Sequence, residues 1–185
     1  MNLAVVPGKP LSGTASLPGD KSISHRAALF AALSSGECRV DNFLVAGVTQ
    51  VMLDALSALG IEWRIDGTSL QVKGAGLRRM TASQDPIRLD CGNSGTTMRL
   101  LAGAVAALGL PVILDGSDRL RGRPMRRIVT PMQRMGVGIQ ASLEGTAPLA
   151  LSARPGNQKL RPIDYTLPVA SAQVKSCLLL AALAA

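Results

Sequence analysis

The stretch Leu89-Asp-Cys-Gly-Asn-Ser94, which continues as Gly95-Thr-Thr-Met-Arg-Leu-Leu101, contains a short apolar strand, a tight turn, a serine and the start of an apolar helix. The same succession occurs earlier, at Leu17-Pro-Gly-Asp-Lys-Ser22, and later, at Leu167-Pro-Val-Ala-Ser171. The three serines lie 72 and 77 residues apart. A near-constant period of this kind is typical of folds built from repeats, so the sequence predicts three copies of one α/β unit.

The first two copies predict the order of elements within the unit. Their opening helices are expected to end near Gly36 and Gly109, because glycine is favoured at helix C-termini. A second strand is predicted in each copy, around residues 39–44 and 111–114. Apolar residues at helical spacing between 48 and 59 then predict an amphipathic second helix.

The second half of the unit is predicted from glycines and alternation. Pro124 is expected at the first position of the second helix in the second copy. Alternating apolar residues predict strands at 61–65 and 137–143, and Asp66-Gly67 predicts a hairpin. Each complete unit therefore reads βαβαββ. The third copy is predicted to hold only its first strand, at 163–167, and most of one helix.

Composition indicates a globular α/β chain of 185 residues, of which 47% are hydrophobic, with a mean hydropathy of +0.26. The longest apolar stretch, residues 100–114, is too short and too interrupted to span a membrane. No signal-peptide pattern is present at the N-terminus. Cys38, Cys91 and Cys177 are odd in number and far apart, which indicates no disulfide framework and no metal site and favours a cytoplasmic location.

A formal net charge of +8 predicts anionic partners. Residues 118–127 contain five arginines, a density that also occurs in nucleic-acid-binding surfaces. Aromatic residues make up only 2% of the chain, so stacking platforms for single strands are lacking. Several arginines around one cleft suit a small substrate with phosphate and carboxylate groups better, because guanidinium binds both in a bidentate manner.

Each predicted helix start offers donors to an anion, since free N–H groups and the helix dipole favour negative charge there. Lys21, Ser22 and Arg26 form one cradle; the alternative is that Ser22 only caps its helix. Gly95 allows a ligand close to the backbone, unless it serves helix packing only. His25, the single histidine, is favoured as a structural residue. Further donors at the other two starts are Thr96, Thr97, Ser171, Gln173 and Lys175, and Arg99 lies just beyond the second start.

Four motifs occur in order along the chain: Pro18-Gly-Asp-Lys-Ser-Ile-Ser-His-Arg26, Gly92-Asn-Ser-Gly-Thr-Thr-Met-Arg99, Arg121-Gly-Arg-Pro124 and Ala170-Ser-Ala-Gln-Val-Lys-Ser176. Together they resemble the family of 5-enolpyruvylshikimate-3-phosphate synthases (3-phosphoshikimate 1-carboxyvinyltransferases). The resemblance runs from about residue 10 to the C-terminus and covers roughly the N-terminal half of such an enzyme.

The resemblance implies the enolpyruvyl transferase fold, an inside-out α/β barrel with three βαβαββ units in each of two domains and the active site between them. Here it implies two complete units and a truncated third. Residues 1–14 would belong to or cross from the other domain, and residues 15–185 would form the N-terminal-type domain, incomplete at its C-terminus.

The implied reaction transfers the enolpyruvyl group of phosphoenolpyruvate to the 5-hydroxyl of shikimate 3-phosphate and releases phosphate. It belongs to the shikimate pathway to chorismate and the aromatic amino acids, and it needs neither a metal nor an organic cofactor. Carried over by motif, the residues holding shikimate 3-phosphate would be Lys21, Ser22, Arg26, Ser171, Ala172 and Gln173. Those holding phosphoenolpyruvate would be Lys21, Gly95, Arg123 and Gln173.

Lys21 is the one catalytic residue that the resemblance assigns to this chain; the carboxylates that act as acid and base come from the C-terminal domain in the family. We therefore expect no synthase activity without a complementary C-terminal half, and weak binding of shikimate 3-phosphate by the open half-site. Gly95 is typical of relatives sensitive to glyphosate, whereas the motif around Ala172 resembles a branch with tolerant members. Sensitivity to this analogue of phosphoenolpyruvate stays open.

Other interpretations also stay open. The sister family that uses a UDP-linked amino sugar places a reactive cysteine before the Ala-Arg-Pro stretch, and residues 115–124 contain no cysteine. A basic nucleic-acid-binding module would explain the charge but not the three serine junctions. A natural split enzyme and a shortened one are equally compatible with the sequence.

Overall fold

The computed structural model of the chain describes residues 3, 4, 6, 8, 10, 12–76 and 85–185, so the predicted terminal segment 1–14 lies partly outside the described residues. The first unit contains two helices and three strands. In chain order they are α1 (Lys21–Leu33), β1 (Ser35–Val40), α2 (Gly47–Ala58), β2 (Glu62–Asp66) and β3 (Ser69–Ala75).

The second unit contains all six predicted elements and one short additional helix. In order they are β4 (Ile87–Asp90), α3 (Gly95–Leu108), β5 (Val112–Asp115), α4 (Asp118–Arg121), α5 (Arg126–Arg134), β6 (Ile139–Gln140) and β7 (Leu149–Leu151). The third unit is represented by α6 (Ala172–Ala181), followed by a 3₁₀ turn at Ala182–Ala184.

The three strands of the first sheet have the same order and pairing as three of the four strands of the second sheet. The first has the order β1-β3-β2 with antiparallel pairing throughout, and its hairpin pairs Asp66 with Ser69 around Gly67, whose φ is +56°. The second has the order β4-β5-β7-β6, in which β4 runs parallel to β5 and the other pairs are antiparallel. Because β1, β3 and β2 correspond to β5, β7 and β6, the repeat and the α/β class are confirmed.

The predicted strands at the first and third serine junctions are wrong for the described residues. Before α1 the carbonyl of Leu17 accepts from the Asn42 side chain at 3.4 Å. A Cβ on Gly19 would lie 2.0 Å from the Asn42 carbonyl oxygen, so this segment crosses the β1–α2 connection instead of joining the sheet. Residues 163–167 run beside the end of α5, where Arg134 lies 5.5 Å from the Tyr165 ring centre.

Four predicted boundaries also differ from the structure. The strand predicted around residues 39–44 is β1, which ends at Val40 before Asn42 with its φ of +54°. α1 ends at Leu33 rather than near Gly36, because β1 begins at once and Gly36 pairs with Gly74 of β3. Pro124 does not begin the second helix, since α5 starts at Arg126 behind the cap residue Met125. The strand predicted at 137–143 is reduced to β6 by a turn in which the Ser142 and Thr146 hydroxyls pair at 2.9 Å. The end of α3 at Gly109, with a φ of +71°, is confirmed.

Helix α3 lies in the middle of the core between α1 and α6. Eleven of its residues are buried, namely all of those between Gly95 and Ala106 except Arg99. A Cβ on Gly103 would lie 2.2 Å from the Cys177 carbonyl oxygen, so α3 and α6 approach backbone to backbone. This contact sets the position of the third serine junction relative to the second. None of the described helices is long and apolar enough to cross a membrane.

Candidate functional site

The starts of α1, α3 and α6 meet at a pocket of about 730 Å³. The helices α1, α3, α5 and α6 all contribute to its lining. The lining residues are Ser22, Ile23 and Arg26 at α1, Thr96 and Arg99 in α3, Arg127 in α5, and residues 171–176 with Leu179 at α6. No carboxylate is among the described residues that line it. The three helix starts, which are far apart in sequence, therefore form one electropositive pocket.

The cap residues determine which serine hydroxyls remain available. Ser94 Oγ accepts from the Thr97 N–H at 3.1 Å, and Ser171 Oγ accepts from the Val174 N–H at 3.3 Å. At α1 the cap is Asp20, not Ser22, because Asp20 Oδ1 accepts from the Ile23 N–H at 2.8 Å. The alternative that Ser22 only caps its helix is therefore wrong. Its exposed hydroxyl has no hydrogen-bond partner in the described part of the chain.

Arg26 joins α1 to α6 across the pocket. Its Nη2 and Nε donate to Ser176 Oγ at 2.9 and 3.2 Å, and Nη1 donates to the Ser22 carbonyl at 3.0 Å. The Ser176 hydroxyl in turn donates to the Ala172 carbonyl at 2.8 Å. The guanidinium is thus held by neutral acceptors only, and its full positive charge faces the pocket.

Arg99 joins α3 to α6 in a parallel way. Its Nη1 donates to Gln173 Oε1 at 2.7 Å and its Nη2 donates to the Pro124 carbonyl at 3.2 Å. Gln173 Nε2 donates to Thr96 Oγ1 at 3.1 Å, which fixes the orientation of the amide. Burial, and then the positive charges of Arg123 and Arg127, lower the pKa of Arg99 from its usual value. The positive charges of the three arginines therefore repel one another, and a bound anion would reduce this repulsion.

Gly95 lies directly beneath two guanidinium groups. A Cβ at this position would be 2.8 Å from Arg99 Nη1 and 3.1 Å from Arg123 Nη1. Arg123 is held over the helix start by Asn93, whose Oδ1 accepts from Nη2 at 3.1 Å. Among the described residues, Arg99, Arg123 and Arg127 form no salt bridge. The absence of a side chain at Gly95 therefore lets both guanidinium groups approach the start of α3 closely.

The structure brings most of the predicted site residues together. Those that line the pocket are Ser22, Arg26, Ser171, Ala172 and Gln173. Gly95 and Arg123 are not in the lining, but they lie next to Arg99, which is. Lys21, the first residue of α1, is exposed and lies outside the lining.

The sequence assigned no role to Arg127 and Ser176, and it named Arg99 only as a neighbour of the glycine junction. A sequence signal existed for Arg99 alone, since it follows Gly95 by four positions and shares its helix face. Ser176 and Arg127 acquire their place only through the packing of α6 and α5 against the other helices. No group of His, Cys, Asp or Glu among the described residues could hold a metal ion.

A family model described as EPSP synthase (3-phosphoshikimate 1-carboxyvinyltransferase) matches residues 5–185. The 3-phosphoshikimate 1-carboxyvinyltransferase of Xylella fastidiosa is 49% identical over 179 residues, which cover 95% of this chain and 38% of that protein. The enzyme of the same name from Salinibacter ruber is 49% identical over 174 residues, 94% of this chain and 40% of its own length.

The solved structure of EPSP synthase from Acinetobacter baumannii matches the fold with a TM-score of 0.82 at 37% identity. The match covers 91% of this chain and 37% of that structure. The chain therefore spans about two fifths of the length of the relatives that it matches.

Proposed function

The chain belongs to the EPSP synthase (3-phosphoshikimate 1-carboxyvinyltransferase) family, and from this membership we propose that it carries the shikimate 3-phosphate site and part of the phosphoenolpyruvate site of such an enzyme. The observation that supports the proposal most strongly is the meeting of three helix starts at one pocket without a carboxylate in its described lining. We also propose that residues 15–185 form the N-terminal-type domain and that residues 1–14 belong to or cross from the other domain.

The phosphate of shikimate 3-phosphate would bind at the start of α6. The Ser171 oxygen already accepts the Val174 N–H, so its own hydrogen remains free to donate to a ligand. The backbone N–H groups of Ala172 and Gln173 lie in the first turn, where no helical acceptor exists for them. Arg26 and Ser22, which lie one turn apart on α1 and both line the pocket, would hold the shikimate part, and Lys21 would reach it from outside the lining.

Phosphoenolpyruvate would bind between Gly95, Arg123 and Lys21, with Gln173 bridging the two substrates. Addition to the shikimate hydroxyl requires protonation of the enol methylene, which leaves a cationic carbon, and the departing phosphate needs fixed positive partners. Arg123 and Arg99 provide them without an internal counter-ion among the described residues. Arg99 also aligns the Gln173 amide, so that its orientation need not be established during binding.

The acid and base of this reaction would be supplied by a complementary C-terminal half. The proposal is supported by the lining of the pocket, which has hydroxyl, amide, ammonium and guanidinium groups but no carboxylate in its described part. Lys175 in the lining and Lys21 next to it are both exposed, so they would be able to contact the substrates and a partner domain. A cytoplasmic location is proposed with this function and is supported by the three free thiols.

The test is phosphate release from phosphoenolpyruvate plus shikimate 3-phosphate, measured for this chain alone and with the C-terminal half of a related synthase. We expect release only after mixing. Titration calorimetry of the chain with shikimate 3-phosphate should show weak binding that Arg26→Ala abolishes and that Arg119→Ala preserves. Arg119 is the matched control because its substitution removes the same charge outside the pocket. Absence of both binding and turnover on mixing would overturn the proposal.

The nucleic-acid alternative is not favoured, and the same preparation tests it. Affinity for a single-stranded oligonucleotide that falls steeply with salt would indicate phosphate contacts of that kind. A UDP-linked amino sugar is the other alternative, and titration with it in place of shikimate 3-phosphate separates the two enolpyruvyl acceptors.

A further inference from the structure

His25 is wholly buried between two of the three helix starts. Its Nδ1 lies 2.7 Å from the Lys21 carbonyl in the first turn of α1. Its Nε2 lies 3.4 Å from Oγ of Ser94, the cap residue of α3. The imidazole therefore touches the backbone that carries the lysine of the site and the residue directly before the glycine turn.

The ring also interacts with the backbone of Val48, and the short contact of Nδ1 with the Lys21 carbonyl favours one arrangement of the hydrogens. A carbonyl oxygen can only accept, so Nδ1 carries the hydrogen and Nε2 of the neutral ring is an acceptor. Ser94 Oγ already accepts from the N–H and the hydroxyl of Thr97, at 3.1 and 2.9 Å, so its own hydrogen points to Nε2. A directed chain of hydrogen bonds thus runs from Thr97 through Ser94 and His25 to Lys21.

The surroundings keep the ring neutral. Burial lowers the pKa of His25, and the charges of Lys21 and Arg26 lower it further, against the opposing effect of backbone hydrogen bonds. No carboxylate contributes to this balance. A neutral ring is the form in which both nitrogens can serve their different partners at once.

We propose that His25 is a positioning residue, which fixes the start of α1 against the start of α3 through its two ring nitrogens. Its contact with Ser94 would hold the anion donors of Lys21 and Ser22 at a constant separation from the Gly95 turn. The inference rests on the proposed function in one respect only, namely that shikimate 3-phosphate is the ligand whose affinity reports this separation.

Three substitutions separate the two contacts. His25→Phe fills the space and removes both hydrogen bonds. His25→Asn places an amide where Nδ1 stands and can keep the bond to the Lys21 carbonyl only. His25→Gln reaches the position of Nε2 and can keep the bond to Ser94. Ser24→Ala is the matched control, since Ser24 is equally buried next to His25 but accepts from the Leu44 N–H, away from the pocket.

Affinity for shikimate 3-phosphate is measured at a temperature where every variant is folded. We expect a loss of about fivefold in His25→Phe and His25→Asn, the effect of one hydrogen bond, and recovery to within about twofold in His25→Gln. Ser24→Ala should bind as the unaltered chain does. An equal loss in Ser24→Ala, or a loss in His25→Gln as large as in His25→Phe, would overturn the proposal.

A second readout does not depend on the ligand. Amide hydrogen exchange at Thr97 and Met98, whose N–H groups donate to Ser94, should be faster in His25→Phe and His25→Asn than in Ser24→Ala and His25→Gln. If the unaltered chain binds no shikimate 3-phosphate, the proposed function fails while exchange still decides the role of His25. Unchanged exchange in His25→Phe would overturn that role, whatever the ligand.

Discussion

Arg99 Nη1 and Gln173 Oε1 lie 2.7 Å apart, although 74 positions separate the two residues in the chain. The bond joins the second structural unit to the third at the mouth of the pocket. Because Gln173 also donates to Thr96, the amide is held at both ends and points in one direction. The candidate site is consequently a property of two packed helices and not of either one.

Gln173→Ala should leave Arg99 without its strongest acceptor in a half-buried position. We expect about 1–2 kcal/mol less stability, the cost of an unpaired buried donor, and weaker binding of shikimate 3-phosphate. Denaturant unfolding and calorimetry measure the two effects. Gln50→Ala, which removes an exposed contact with Asp54, is the control and should change neither.

Gly95→Ala should act on ligand binding more than on folding. The new Cβ meets only the ends of two guanidinium groups, which can move, so we expect a stability change below about 1 kcal/mol. Displacement of Arg99 and Arg123 should weaken phosphoenolpyruvate binding, measured in the presence of shikimate 3-phosphate and the complementary half. Gly122→Ala, where the Cβ has ordinary contacts, should bind normally.

Gly103→Ala should separate α6 from α3. Its Cβ would lie 2.2 Å from the backbone oxygen of Cys177, and backbone cannot yield as a side chain does. We expect a loss of about 1–3 kcal/mol from overpacking, with a lower thermal midpoint. Gly47→Ala, at the open first position of α2, should be neutral or stabilising. Equal midpoints for the two variants would contradict the close approach.

Arg154→Met should destabilise the end of α3. Arg154 donates to the carbonyls of Ala106 and Ala107, at 3.4 and 2.6 Å, and also to the Gln158 carbonyl. Loss of these bonds takes the donor from the Ala107 carbonyl, whereas the Ala106 carbonyl keeps the Gly109 N–H, and we expect about 1–3 kcal/mol less stability in denaturant unfolding. Lys159→Met removes a nearby exposed charge and should have little effect.

Stability should fall as the pH drops below about 7, since the pKa of His25 is lowered in the folded chain and the unfolded chain takes up the proton first. The stabilising contribution is complete above the unfolded pKa of about 6.5 and declines below it, by at most about 1.4 kcal/mol per pH unit. Unfolding measured between pH 7.5 and 5 should show this decline, and His25→Gln should lack it.

Local signals in the sequence correctly predicted the ends of α3 in the second unit and the hairpin in the first. Ser94 before α3, Gly109 after it and Asp66-Gly67 in the hairpin all stand where local chemistry requires them. The strand predicted at 163–167 failed because its residues pack against α5, a contact that no local pattern encodes. The short helix α4 was missed although Ser117 caps it, because four residues are too few to show a helical period.

The site shows the same division. Motifs indicated residues at the three helix starts, and the packing of those helices brings five of them to one pocket. The partners of Arg26 and Arg99 lie 150 and 74 positions away, so their bonds to Ser176 and Gln173 could not be derived from spacing. Lys21, the first residue of α1 after its cap residue Asp20, is exposed and lies outside the pocket lining, which the motif alone did not indicate.

The close approach at Gly103 gives the chain a built-in reporter. The Cys177 thiol is wholly buried, with its Sγ 3.5 Å from Met132 Sδ of α5, and burial raises its pKa to about 12. An alkylating reagent therefore reaches a reactive thiolate only after α6 has separated from its neighbouring helices. Cys38 is partly exposed and supplies the reference rate for an accessible thiol. The ratio of the two alkylation rates therefore reports how often α6, whose start is the proposed phosphate-binding end of the pocket, separates from the rest of the molecule.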